Sequence, residues 1–299
     1  HGHRFCEKMG YSNSTYFISM LSNLPSPEEI TSILSKQLTP FTRINWVAQT
    51  GSTNADLMSN HDLSMGQSQL LGAHLQTTGR GRAGRVWHNT AGQSLTFSCG
   101  FETNLKATEL NGLSLALGVG ACESIRKLCP GQNIEQLKLK WPNDLMFNHG
   151  KLAGILVETQ INTQRIRVIV GIGINLIHAK HLSNTIGREV SALNDFMTLK
   201  PEGVVTLINK IATSWHDIIF NYANNNLLTF EQRFKHLDYL LNQPVTVTQN
   251  QSTLFEGMAQ GINSQGALLV RDGLKTRAVT VGDISVRVTS ITASTFASP

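Results

Sequence analysis

The sequence predicts an α+β fold, a larger unit of strands and flanking helices followed by a small C-terminal β-barrel. Three observations carry this reading. Short apolar, β-branched runs bounded by Gly and Asn/Asp clusters recur between Ile44 and Leu176. Helical periodicities of three and four lie between and after them. Beyond Pro244 the pattern changes to short alternating strands with Gly turns, over a stretch that suits a barrel.

Taken in order, residues 1–40 form a polar lead-in. His1-Gly2-His3-Arg4 lacks an initiating Met and reads as leftover vector sequence. Within the lead-in, 27–37 is a short amphipathic helix with Ile30, Ile33 and Leu34 on one face. Strands are expected at 44–47, 69–75, 94–101, 137–141, 153–160 and 166–176. Leu110, Leu113, Leu117, Ala121, Ile125 and Leu128 predict one long helix over 107–128, stopped by Pro130-Gly131. A second helix is expected over 201–222 and a third over 229–241, separated by the Asn-rich stretch 221–226. Five barrel strands follow at 245–248, 253–261, 266–271, 276–281 and 283–288. The resulting division is a lead-in at 1–40, a main domain at 41–241 and the barrel at 242–292.

Composition bounds the function. The 299 residues are 40% hydrophobic but only 15% charged, which argues against disorder and against a coiled coil. The net charge of +5 is a mild excess of 25 basic over 20 acidic residues, better read as local clusters than as a polymer-binding surface. Cys6, Cys99, Cys122 and Cys129 are irregularly spaced, without C-x-x-C, and read as reduced thiols of a cytoplasmic chain. The longest apolar run, 168–177, is interrupted by Gly171, Gly173 and Asn175, so no membrane span is expected.

The densest positive cluster is Gly79-Arg80-Gly81-Arg82-Ala83-Gly84-Arg85. It satisfies G-x-G-x-x-G, but a dinucleotide turn needs a helix after the loop, and 86–92 has no room for one before the strand at Ser94. Two readings remain. The loop either surrounds a multiply charged anion with backbone N–H groups and guanidiniums, or is a solvated basic loop with a nucleic-acid contact. Ser52-Thr53-Asn54 precedes a helical segment, where a hydroxyl caps the helix and the spare polar atoms could meet a small ligand. Lys140-Trp141-Pro142-Asn143-Asp144 sits at a strand end as a turn, with Asp144 available for substrate or metal. Lys151 opens a strand, as an edge charge or as a clamp for a carboxylate or phosphate. The glycines of Gly171-Ile172-Gly173-Ile174-Asn175 let a ligand or another group approach the strand closely. The chain has no P-loop, no G-x-S-x-G elbow and no H-E-x-x-H.

In this order, Gly51-Ser52-Thr53-Asn54, Gln76 ahead of GRGRAGR and Trp87, KWPND at 140–144, GKLAGILVE at 150–158, GIGIN at 171–175, and 265–269 with 282–287 in the barrel, the chain closely resembles the bacterial biotin protein ligases. The resemblance covers roughly 41–290. It implies a mixed-sheet catalytic domain of the class II synthetase and lipoate-ligase type with an SH3-like barrel. It also implies two reactions in one site: biotin and ATP, with Mg2+, form biotinyl-5'-AMP, and a lysine of the biotin carboxyl carrier protein of acetyl-CoA carboxylase then takes the biotin. Carried over, Ser52, Thr53, Asn54, Gln76, Gly79, Arg80, Arg82, Lys151 and Gly154 contact biotin. Arg80, Arg82, Arg85, Trp87, Lys151, Asn175 and Arg287 contact ATP or the adenylate. Arg82, Lys151 and Asp144 take part in catalysis, and no metal ligands are assigned.

Many relatives carry an N-terminal winged helix that represses biotin synthesis genes. Here one short helix and no basic recognition helix precede Gly51, so the expectation is a ligase without that domain and without DNA as a partner. The alternatives are a biotin-responsive repressor whose reader domain is missing or degenerate, and a lipoyl or octanoyl transferase of the same fold. A homodimer is left open.

Overall fold

The computed structural model describes residues 24–289, except 61–62, 130, 132, 163–164, 178, 251 and 283, and except the side chains of 181 and 223–229. Cys6, Pro130, Asp283 and most of the lead-in therefore lie outside the described residues.

Helix α1 (Pro27–Gln37) starts where the sequence puts it. Ser26 caps it, and Glu29 returns the bond to the Ser26 N–H. Seven strands form one mixed sheet: β1 (Arg43–Thr50), β2 (Ser68–Gln76), β3 (Ser94–Thr103), β4 (Leu137–Lys140), β5 (Asp144–Phe147), β6 (Gly150–Ile161) and β7 (Ile166–Asn175). The order is β1-β2-β3-β7-β6-β5-β4, with β1 and β2 parallel and every other pair antiparallel. Helix α2 (Thr53–Ser59) follows β1, α3 (Leu113–Leu128) follows β3, and α4 (Ala179–Ile186) and α5 (Pro201–Leu237) follow β7.

The two-residue period of a strand sorts side chains between the faces. On β3, Phe97 and Phe101 face the long helices, where their rings meet Trp215 and Phe220. Trp215 is fully buried and donates its Nε1 hydrogen to Leu117 O on α3 (2.9 Å). Thr96 and Ser98 point to the opposite face, paired in register with Gly173 and Gly171 of β7. The alternation in GIGIN therefore puts isoleucines in the core and glycines on the open face.

Two helix expectations are corrected. The helix expected over 107–128 is a 3-10 turn at Ala107–Leu110 followed by α3, because Gly112 takes a positive φ of 74° and restarts the helix at Leu113. The two helices expected across 201–241 are one, α5. Buried Tyr222, Phe230, Phe234 and Leu237 keep the same helical phase on either side of the Asn-rich stretch. Asn lowers helix propensity by well under about 1 kcal/mol per residue, which that packing outweighs. Strand β5 and helix α4 were not expected.

The second sheet holds β8 (Pro244–Gln249), β9 (Ser252–Ile262), β10 (Leu268–Asp272), β11 (Lys275–Val279) and β12 (Ile284–Val288) in the order β11-β10-β9-β8-β12, all antiparallel. It joins the main unit through a shared hydrophobic core, and Trp141 donates its indole N–H to Gly266 O (3.0 Å). No described helix is long and apolar enough to cross a membrane. Cys99, Cys122 and Cys129 are free thiols, and burial pushes Cys122 up to about 12.

Candidate functional site

A cleft of about 720 Å³ opens on the glycine face of the sheet. It is bounded by the start of α2, the arginine loop, the 140–144 turn, the segment after α4 and the end of β12. Among the described residues, seven Lys/Arg side chains line it (Arg80, Arg82, Arg85, Lys140, Lys151, Arg188, Arg287) against two carboxylates, Asp144 and Glu189. That balance suits an anionic ligand.

The inner end is polar and buried. Ser52 caps α2, while Thr53 and Asn54, buried beside it, turn their side chains to neighbouring strands. Thr53 N–H donates to Gln76 Oε1 (2.7 Å). Ser98 Oγ donates to Asn54 Oδ1 (2.6 Å), and Asn54 Nδ2 donates to Glu158 Oε2 (2.8 Å). A Cβ at Gly171 would overlap the Asn54 and Ser98 side-chain oxygens, which is the close approach this glycine permits.

The arginine loop is a tight hairpin. Trp87 N–H bonds Gly79 O (2.9 Å), Gly81 N–H bonds Arg85 O (2.7 Å), and Ala83 and Gly84 turn the tip with positive φ. A Cβ at Gly79 would come within 3.0 Å of Trp87 O, so the hairpin needs glycine there. The three guanidiniums all have partners around the cleft. Arg80 pairs with Glu158 (3.5 Å), Arg82 donates to Gly282 O (2.8 Å) and to Asn143 Oδ1 (3.4 Å), and Arg85 donates to Ser285 Oγ (2.8 Å). Arg82 and Arg85 thus tie the loop to the second sheet. The Trp87 indole lies against Gly173, where any Cβ would overlap it, and its Nε1 is buried without a partner among the described residues.

Lys151 enters the cleft because of a β-bulge. Leu145 pairs with Ala153 and Met146 with Lys151, so Leu152 is passed over and Lys151 shares a face with Gly154. Its Nζ lies 2.6 Å from Asp144 Oδ1 and 5.7 Å from the centre of the Trp87 ring. Lys140, at the end of β4, has its pKa lowered by burial first. Lys151, Arg287 and Arg188 push the same way, and Asp144 opposes them.

Of the residues singled out from sequence, Ser52, Thr53, Asn54, Gln76, Arg80, Arg82, Arg85, Trp87, Asp144, Lys151, Gly154 and Arg287 line this cleft. Gly79 and Asn175 do not. The Asn175 amide is spent on Lys151 O and Ser191 O (both 3.1 Å), and the residue borders a small annex with His88 and Arg188. Sequence reasoning gave no role to Ser98, Glu158, Lys140, Arg188 or Glu189. Lys140 and Glu158 stand inside quoted motifs, whereas Ser98 is one more polar residue in a strand and Arg188 follows an unrecognised helix.

Two family descriptions match the chain: Biotin/lipoate A/B protein ligase family over residues 46–175, and Biotin protein ligase C terminal domain over 240–287. The biotin--[acetyl-CoA-carboxylase] ligase of Mycobacterium tuberculosis is 31% identical over 248 residues, 81% of this chain and 88% of that protein. The chain belongs to the biotin protein ligase family. The bifunctional ligase/repressor BirA of Escherichia coli is 30% identical over 79% of this chain and 71% of its own length. Among solved structures, the biotin protein ligase of Aquifex aeolicus in complex with biotin and ATP superposes with a TM-score of 0.65 at 24% identity, covering 83% of this chain and all of that one. The Leishmania major biotin protein ligase in complex with biotinyl-5-AMP superposes at 0.55, again at 24% identity, over 80% of this chain and 99% of that one. These two likenesses show the fold.

Proposed function

We propose that the chain is an ATP-dependent biotin protein ligase that biotinylates a lysine of the biotin carboxyl carrier protein of acetyl-CoA carboxylase through biotinyl-5'-AMP. The observation that carries the reading is the continuity of one cleft. A polar inner end suited to a small uncharged ring system leads past Gly154 and Lys151 to a cationic outer end suited to a triphosphate.

In the first reaction the biotin carboxylate attacks the α-phosphorus of ATP, the new O–P bond replaces the Pα–O–Pβ bond, and pyrophosphate leaves. Two anions must meet, and the cleft lowers that repulsion with preorganised cations. Ser52, Thr53, Asn54 and Gln76 hold the ring system; Gly79, Arg80, Arg82 and Trp87 cover it. Lys151 steadies the carboxylate and then the α-phosphoryl charge, while Arg85, Lys140, Arg188 and Arg287 face the phosphates. Asn175 acts indirectly, by fixing the backbone of Lys151. In the second reaction the acceptor amine attacks the acyl carbon and AMP leaves. The amine's proton goes to solvent or to Asp144, the carboxylate beside Lys151. The hairpin over the cleft shields the mixed anhydride from water.

No described cluster of three His, Cys, Asp or Glu could cage a metal ion. Mg2+ would arrive with the ATP phosphates; Asp144 is the cleft-lining carboxylate that could help to hold it, and the ion would supply charge neutralisation there. We assign 41–241 to catalysis and 242–292 to the barrel, place the protein in the cytoplasm, leave dimerisation open, and include no DNA contact.

The test is transfer. Incubated with ATP, Mg2+, biotin and purified carrier domain, the protein should label that domain on its acceptor lysine. An unlabelled carrier domain, with lipoate in place of biotin giving the same result, would reject the reading.

A further inference from the structure

A chain of hydrogen bonds runs round the inner end of the cleft through Gln76, Thr53, Ser98, Asn54 and Glu158, and an ion pair carries it on to Arg80. Its direction follows from counting protons. Three oxygen–oxygen contacts, Gln76 Oε1 to Thr53 Oγ1 (3.0 Å), Thr53 Oγ1 to Ser98 Oγ (2.6 Å) and Ser98 Oγ to Asn54 Oδ1 (2.6 Å), share only two hydroxyl protons, because the amide oxygens accept and never donate. Thr53 N–H satisfies Gln76 Oε1, so the protonless contact falls on the longest of the three. Thr53 then donates to Ser98, Ser98 to Asn54, and the Asn54 amide to the Glu158 carboxylate (2.8 Å).

Two consequences face the ligand. Thr53 Oγ1, at the head of the chain, receives no proton from the described residues and presents a lone pair. The carboxylate at the tail draws the protons towards itself and makes that lone pair a stronger acceptor. Beside it, Gln76 Oε1 is already engaged, and its Nε2 makes no hydrogen bond among the described residues, so it presents a donor. An N–H acceptor next to a carbonyl donor is complementary to a cyclic urea and offers nothing to a dithiolane.

We infer that Glu158, through Asn54 and Ser98, is a positioning residue that sets the cleft's preference for the ureido head of biotin. The inference rests on the ligase reading above. Glu158 does not line the cleft, and its second oxygen holds Arg80 of the hairpin (3.5 Å), so the same carboxylate links the inner end to the loop. Gly171 leaves the space in which the chain runs.

The test measures biotin-dependent ATP–pyrophosphate exchange for wild type, Glu158→Gln, Ser98→Ala and the double variant, with thermal melts to establish folding. Glu158→Gln keeps the shape, and the side chain is about a third exposed (30%), so folding should be retained. Its KM for biotin should rise about tenfold, the share expected of a charge-assisted bond, while KM for ATP stays within about twofold. Ser98→Ala should do the same, and the double variant should be little worse than the worse single, because both cut one chain. An unchanged KM for biotin in Glu158→Gln, an equal rise in KM for ATP, or additive effects would overturn the inference. Absence of exchange in the wild type would instead reject the ligase reading itself.

Discussion

Lys151→Ala removes the ammonium that lies 2.6 Å from Asp144 and against Gly154 and Trp87. At that distance, with an effective dielectric constant near 20, the gross attraction is about 6 kcal/mol. Both side chains are partly exposed (18% and 28%), so desolvation and screening leave at most about 1 kcal/mol of net stability. The rate should suffer more. Without Lys151 the carboxylate of Asp144 faces the phosphates uncompensated, and a charge aimed at the reacting atoms is lost; such losses cost about 10² to 10³ in rate, or about 3–4 kcal/mol. The assay is pre-steady-state formation of biotinyl-5'-AMP, read beside the melting temperature. A variant that melts within a few degrees of wild type but forms the adenylate some hundredfold slower supports the reasoning. Full adenylation by Lys151→Ala would refute the role given to the residue.

Other consequences follow from the same geometry. Gly173→Ala places a methyl where the Trp87 indole sits, so the hairpin should seat poorly and bound adenylate should hydrolyse faster, with the fold retained; an unchanged adenylate lifetime would contradict the packing described. Seven cationic side chains against two carboxylates among the described lining residues predict that KM for ATP rises with ionic strength more steeply than KM for biotin, measured in exchange assays from low to high salt. Burial raises the Asp238 carboxyl to about 6, outweighing the backbone N–H bonds and the Lys138 charge that act to lower it, and its Oδ2 has no partner among the described residues. The folded value lies above the unfolded one, so ionisation opposes folding at neutral pH and the penalty, about 3 kcal/mol at most, is relieved as pH falls through about 6 towards 4. Asp238→Asn should therefore melt higher than wild type at pH 7.5 and lose that advantage by pH 4.5; a lower melting temperature at pH 7.5 would contradict it.

Much of this was legible in the sequence, for physical reasons. Strands β1, β2, β3, β6 and β7 announce themselves through apolar, β-branched runs, and Ser26 with Glu29 fixes the start of α1. The family was readable from five ordered motifs, and most of the candidate residues do converge on one cleft. What stayed hidden depends on tertiary contact. The bulge at Leu152 that turns Lys151 inward leaves no local signal, since nothing in GKLAGILVE says which residue is skipped. The Asn-rich stretch of α5 reads as a break until packing at Trp215 and Phe234 overrides it. Ser98 looks like any polar strand residue until its register with Gly171 brings it to Asn54. Arg82 and Arg85 read as ligand-facing, and their bonds to Gly282 and Ser285 become visible only once the second sheet is folded against the hairpin.

The central claim is that one cleft activates biotin with ATP. Its most direct test is pyrophosphate exchange into ATP by the purified protein with Mg2+, comparing biotin with lipoate. Exchange should depend on biotin, saturate with it and be absent with lipoate. Exchange no greater with biotin than with lipoate would contradict it.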